Sequence, residues 1–261
     1  MGVLNITPDS FSDGGQFFSS QSAINHGLSL IDDGAVIIDI GGESTRPGAD
    51  PLTIDEELNR VLPVIEGIRK KNNEVLISID TYKSKVAKEA IECGADIIND
   101  ISGFSLDLEM PNIVADYDVP VILMHMKGNP KNMQDNPHYN DIIEEINIYF
   151  SEKISIAKAA KIKPEKIILD PGIGFGKNIE HNFIILQKLN QFRVHGYPIM
   201  IGTSRKSFIG LTLDLPPDDR LEGTAATVSI GIMNGARIVR VHDVKEIKRV
   251  VTVVEKIRQA I

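Results

Sequence analysis

Residues 198–210 read PIMIGTSRKSFIG. The apolar run Ile199–Ile201 gives way within a few residues to Ser204, Arg205 and Lys206. A segment composed for a core thus ends in groups that need water or a partner. Turn chemistry by itself suits a solvated loop. The same transition recurs, however, in GVLN (2–5), AVIIDI (35–40), EVLISID (74–80), ADIIND (95–100), PVILMH (120–125), KIILDPG (166–172) and RIVRVH (237–242). Continuous apolar, β-branched runs suit strands buried on both faces, as a parallel sheet requires.

Helical patterns lie between most of these runs. Residues 53–70 place Ile54, Leu58, Val61, Leu62, Ile65 and Ile68 on one stripe, and Thr53 with Glu56 forms a capping-box pattern. Pro63 falls inside that helix, where its ring should kink it. Residues 243–259 repeat the stripe from Val244 to Ile257, opened by Asp243 and Glu246; weaker versions fill 83–93, 140–160, 178–192 and 219–234. Strands alternating with helices admit an open doubly wound sheet or a closed (β/α)8 barrel. An open sheet gathers its site at one switch point, whereas a barrel collects residues from every strand end at one face. Polar residues follow nearly every run: Asn5, Glu43–Arg46, Asp80, Asn99, His125, Asp170, Ser204–Lys206, Arg240 and His242. The fold class expected is therefore α/β, a single-domain (β/α)8 (TIM) barrel over residues 1–261.

The chain has 261 residues, a formal net charge of −8 and one cysteine. Cys93 alone excludes an internal disulfide and a cysteine metal cluster, and its setting in AIECGAD suits a small buried side chain. The negative balance argues against broad binding to nucleic acid or an anionic membrane. No apolar run approaches a membrane span, and no signal-peptide pattern is present, which together place the protein in the cytoplasm as an expectation. An anionic ligand would need a local cationic cluster set against the overall charge.

Each strand-end residue also has a plain structural role available. Asp80 could cap the following helix, and Asn99 with Asp100 could form an Asx-turn. DPGIGFGK (170–177) lacks the spacing of a P-loop or a dinucleotide fingerprint. Convergence at one barrel mouth gives these residues a second reading. Asp80, Asn99 and Asp170 offer the acceptors and amide that read a heterocycle with ring N–H, exocyclic amine and carbonyl groups. Arg240 resists the surface-charge reading because Val239 and Val241 flank it; with His242, Arg46, Ser44 and Thr45 it suits a diphosphate. Asn5, Asp9 and Asp13 are hard oxygen donors of the kind that share Mg2+ with substrate phosphates. The segments TPDSFSDGG (7–15) and STRPGAD (44–50) read as mobile lids. His125 ends a strand without a ligand-spaced partner, and His138 sits in a polar rim, so neither suggests a transition metal.

Taken in order, LNITPDSFSDGG, GGESTRPG, SIDT, IIND, LDPGIGFGK, SRKSFIG and RVHDV resemble the dihydropteroate synthase family along essentially the whole chain. The resemblance implies a transferase of folate biosynthesis that joins (7,8-dihydropterin-6-yl)methyl diphosphate to 4-aminobenzoate and releases pyrophosphate. It implies that Asp80, Asn99, Met124, Asp170, Lys206 and Arg240 hold the pterin. It places Thr45, Arg46, Arg240 and His242 on the diphosphate. Thr45, Pro47, Phe175, Ser204 and Lys206 would border the aminobenzoate, and Asn5 with Asp13 would hold Mg2+. Asp80, Asp170, Lys206, Arg240, His242 and Arg46 would carry catalysis. The family further implies a homodimer and a sulfonamide target. A corrinoid-dependent pterin methyltransferase domain shares the barrel and the pterin-reading positions, and a non-catalytic pterin-binding module would keep the acidic set without the cationic one. STRPG, SRK and RVH together argue against both.

Overall fold

The computed structural model describes residues 1–6, 15–44, 50–128 and 133–260. Its strands are β1 (Gly2–Asn5), β2 (Ile37–Gly41), β3 (Leu76–Asp80), β4 (Ile97–Asp100), β5 (Val121–Met124), β6 (Ile167–Asp170), β7 (Ile199–Ile201) and β8 (Ala236–Val239). Each pairs in parallel with the next, in the order β1 to β8. The ring closes where Gly2 bridges Val241: the Val3 N–H donates to the Val241 carbonyl at 3.0 Å, and the Val241 N–H donates to the Met1 carbonyl at 2.9 Å. Closure leaves no sheet edge and brings all eight C-terminal strand ends to one mouth.

The helices among the described residues are α1 (Gly15–Asp32), α2 (Ile54–Arg69), α3 (Ser84–Glu92), α4 (Met110–Tyr117), α5 (Ile142–Ala159), α6 (Ile179–Gln187), α7 (Ser207–Leu213), α8 (Leu221–Met233) and α9 (Val244–Gln259). The α2 capping box forms as its sequence implies, with the Glu56 N–H on the Thr53 hydroxyl and the Thr53 N–H donating to the Glu56 carboxylate at 2.8 Å. The helix continues through Pro63 to Arg69. At α9 the expected cap is corrected: Asp243 occupies the N-cap position but makes no side-chain cap bond. Its carboxylate is taken by Arg205 instead, at 2.5 and 3.1 Å. The pattern across 178–192 ends as an α-helix at Gln187 and continues as 3-10 helix from Leu189 to His195. Helices α1, α4 and α7 carry no strong stripe and were not evident from periodicity.

Two apolar layers follow from the period-two alternation of strand side chains. Outward residues such as Ile38, Ile40, Ile77 and Ile79 meet helix residues including Val61, Val64 and Ile65. Inward residues Met1, Ile37, Ile97, Ile122 and Met200, with Ile168 and Ile238, form a separate cluster inside the barrel.

Candidate active site

Asp80 ends β3, but it does not cap the next helix, whose N-cap is Lys83. Its Oδ2 accepts the Arg240 Nη2–H at 2.8 Å. Arg240 follows β8 and reaches deeper with Nε, which donates to Asp39 Oδ2 at 2.6 Å. The same Asp39 oxygen accepts the Asn99 side-chain amide at 3.1 Å. Asp39 thereby fixes the Asn99 amide with its nitrogen turned down and its oxygen left as an acceptor. The Asx-turn considered for Asn99 and Asp100 belongs to Asp100 alone, whose carboxylate accepts the Ser102 and Phe104 N–H groups at 2.8 and 2.7 Å.

Asp170 ends β6, with Oδ1 accepting the Gly172 N–H at 2.7 Å, and lies in register with the buried Met124 of β5. Gly172 has φ +67°, and a Cβ there would lie 2.0 Å from the His125 carbonyl, so no side chain fits this turn. Three residues further, Phe175 packs its ring under Lys206, whose Nζ lies 4.2 Å from the ring centroid. Asn5 lies at the same mouth: a side chain added at Gly41 would come 3.5 Å from Asn5 Oδ1 and 3.6 Å from Asp80 Oδ2.

The stretch 202–210 resolves into an alternation. Arg205 adopts a left-handed φ of 57° and turns outward to Asp243 and Asp218, with its carbonyl held by the Arg220 guanidinium at 2.9 Å. Ser204 and Lys206 remain on the mouth side. Ser204 Oγ accepts the His242 N–H at 3.1 Å and lies 3.0 Å from its Nδ1. A hydroxyl has one proton, so a carboxylate bound at Ser204 competes with His242 for it.

Burial governs the titration of the cluster. Desolvation, followed by the neighbouring Asp39 charge, raises the Asp80 carboxyl to about 7, and desolvation raises Asp170 to about 6. Lys206 is lowered to about 8, first by burial and then by Arg240. His242 is lowered to about 4 for the same two reasons. It is therefore a neutral hydrogen-bonding group near pH 7. Burial opposes the Arg240 charge, but Asp39 and Asp80 outweigh it and raise its pKa.

Among the described residues, Asp80 Oδ1, Asn99 Oδ1, Asp39 Oδ1 and Ser78 Oγ are buried without a hydrogen-bond partner. Each orphaned acceptor costs roughly 1–3 kcal/mol, so this floor is built to meet donors. Thr45, Arg46, Pro47, Asp9 and Asp13, and most of both segments read as lids, lie outside the described residues. Glu43 brings together the two ends of the 44–51 segment: its carboxylate accepts the Leu52 N–H at 2.8 Å, the Tyr82 hydroxyl at 3.0 Å and the Lys83 ammonium at 2.6 Å. Lys83 also pairs with the buried Glu57 at 2.5 Å.

Sequence reading overlooked Asp39 and Lys177. A signal for Asp39 existed, a carboxylate in the middle of an otherwise apolar strand. For Lys177, which is 3% exposed, there was none.

The barrel mouth pairs an acceptor-rich floor with a cationic wall, and the family of pterin binding enzymes matches residues 1–242. The chain belongs to that family. Among its relatives, the Bacillus subtilis dihydropteroate synthase is 52% identical over 249 residues, covering 95% of this chain and 85% of that one. The Escherichia coli dihydropteroate synthase is 49% identical over 255 residues, covering 98% and 90%. Solved structures agree: a Yersinia pestis dihydropteroate synthase with a sulfonamide drug complex superposes with a TM-score of 0.94 at 44% identity, over 99% of this chain and 94% of that one. The Xanthomonas albilineans dihydropteroate synthase with 4-aminobenzoic acid gives 0.92 at 40% identity, over 99% and 92%. Within the family, this chain is a dihydropteroate synthase.

Proposed function

We propose that this synthase joins (7,8-dihydropterin-6-yl)methyl diphosphate to 4-aminobenzoate at the described mouth without a covalent enzyme intermediate. The observation that carries the assignment is the pair of unpartnered buried acceptors, Asp80 Oδ1 and Asn99 Oδ1, beside Asp170. Ring N–H and amino groups of a pterin supply the missing donors. Lys206 and Arg240 border the same ring. The bond between the methylene carbon and the diphosphate oxygen breaks first, and the diphosphate carries off the electron pair. The methylene cation shares its charge with the pterin ring, where its positive charge favours the ionised forms of Asp80 and Asp170, which in turn stabilise it. The arylamine nitrogen then forms the new C–N bond and gives up one proton. Arg240 faces the departing anion, Thr45 and Arg46 are assigned to it by likeness to the family, and His242 contributes a neutral N–H. Phe175, Ser204, Lys206, Thr45 and Pro47 border the aminobenzoate.

Asn5 offers a single hard oxygen at this mouth, which fits Mg2+ held mainly by phosphate oxygens, with Asp13 as the second protein donor. When bound, the ion supplies positive charge to the leaving diphosphate. A homodimer fits the exposed apolar residues on adjoining helices: Phe183 on α6, Leu211 on α7, and Ile230 and Met233 on α8. A cytoplasmic location fits the single free Cys93.

Pyrophosphate release from purified protein tests the reading. Release that requires Mg2+, the pterin diphosphate and 4-aminobenzoate together is expected. Tight pterin binding with no release under any combination would leave a binding module in its place. Equilibrium sedimentation of the wild type and Ile230→Glu tests the dimer, which the variant should dissociate.

A further inference from the structure

Lys177 closes the turn that follows β6, and it is buried with no carboxylate of the described residues in hydrogen-bonding range. Its Nζ lies 2.8 Å from the Phe175 carbonyl, 2.9 Å from His125 Nδ1 and 3.4 Å from the His125 carbonyl. His125 directly follows Met124, and its ring stands edge-on to Tyr149 with centroids 4.9 Å apart. One amine therefore ties the end of β5 to the turn after β6. The neighbouring peptides are restrained separately: the Asn182 side chain accepts the Gly174 N–H at 2.7 Å, and the Tyr139 hydroxyl donates to the Gly176 carbonyl at 2.8 Å. At Phe175, the side-chain anchor is Lys177. Burying a lysine is costly, and an aliphatic residue would fill the same space at less cost unless the polar bonds matter.

We propose that Lys177 is a positioning residue for the second substrate: by holding the Phe175 carbonyl against His125, it sets the Phe175 ring over Lys206 and so the seat of the arylamine. The proposal rests on the assignment of Phe175 and Lys206 to the aminobenzoate side. Lys177 touches neither substrate and acts through Phe175. Its loss releases the ring while Asp39, Asp80 and Asn99, on β2, β3 and β4, keep the bonds that link them with Arg240.

Steady-state kinetics of Lys177→Met, Phe175→Ala and the double variant test this. Lys177→Met is expected to raise KM for 4-aminobenzoate about tenfold, with KM for the pterin diphosphate within about twofold, because a shift of roughly 1 Å in a positioning group acts on the substrate it positions. The double variant should be no worse than Phe175→Ala alone, since both changes act through one ring. Additive effects, or equal changes in the two KM values, overturn the proposal. A raised KM in Phe175→Ala with none in Lys177→Met overturns the role of Lys177 alone. No change in either variant removes the Phe175 assignment and the inference with it. Should Lys177→Met fail to fold, His125→Gln decides: it withdraws the imidazole partner, and the same selective rise in KM is expected, at about threefold. An unchanged KM there overturns the proposal.

Discussion

The two ends of the barrel interior are made by the same eight strands and have opposite chemistry. At one end, Ile37, Ile97, Ile122 and Met200 form a plug without a polar atom to satisfy. At the other, Asp39, Asn99, Asp170 and Arg240 lie two residues beyond Ile37, Ile97, Ile168 and Ile238 and crowd together with Asp80, with several acceptors unpaired. The plug needs only volume and apolarity, and it stabilises the ring that holds the strand ends in place. The mouth spends stability: its carboxyls are raised and its lysine is lowered because charge there has been taken out of water before a ligand arrives. Function is concentrated where the fold is least satisfied.

Substitutions at the two ends should separate these roles. The largest effect is expected for Arg240→Met, which leaves Asp39 and Asp80 buried without their cation. We expect kcat/KM to fall at least about 1000-fold and folding stability by roughly 3–5 kcal/mol, read by pyrophosphate release and urea denaturation. Activity within tenfold of the parent would remove Arg240 from the site. Arg46→Ala should lower turnover at least about 100-fold with little change in stability, the share one contact to a developing anion commonly contributes. Turnover close to the parent's sinks that assignment. At the opposite end, Ile97→Ala should cost about 2–5 kcal/mol of stability while kcat per folded molecule stays within about twofold. A selective loss of kcat there would mean that the plug shapes the site directly.

The smallest effect is a pH dependence of the empty protein. Asp170 has its folded pKa raised from 3.8 to about 6, so the folded chain holds a proton that the unfolded chain releases. Stability from this group is full below the unfolded value, falls as pH rises through about 6, and stays lower above it. Asp80, raised to about 7, extends the fall upward. In Asp170→Asn the decline in Tm between about pH 4 and 6, expected at roughly 3–6 °C, should flatten, with the Asp80 portion retained. A wild-type Tm that rises across this window would contradict the burial of these carboxyls.

Much of this was legible in the chain. The eight apolar runs became the eight strands, with ends that agree to within three residues, because strands buried on both faces carry an unbroken composition signal. Asp80, Asn99, Asp170, Ser204, Lys206, Arg240 and His242 were visible as polar residues where apolar runs stop. Asp39 stood out as a carboxylate inside the apolar run AVIIDI, but nothing local shows that Arg240, 201 residues away, reaches down to it. Lys177 was hidden for a similar reason, since a lysine after a glycine turn reads as solvated until the fold buries it against His125.

By itself the sequence determined the alternation of strands and helices, the class of ligand chemistry and the residues at most strand ends, all properties of composition and local periodicity. Tertiary structure alone decided which atoms of those residues are already committed. It gave the Asp243 carboxylate to Arg205 in place of a helix cap and set Ser204 on His242, whereas the outward Arg205 and inward Lys206 follow the alternation that the sequence already carries. These outcomes depend on distances between strand ends far apart in the chain, fixed only when the ring closes at Gly2 and Val241.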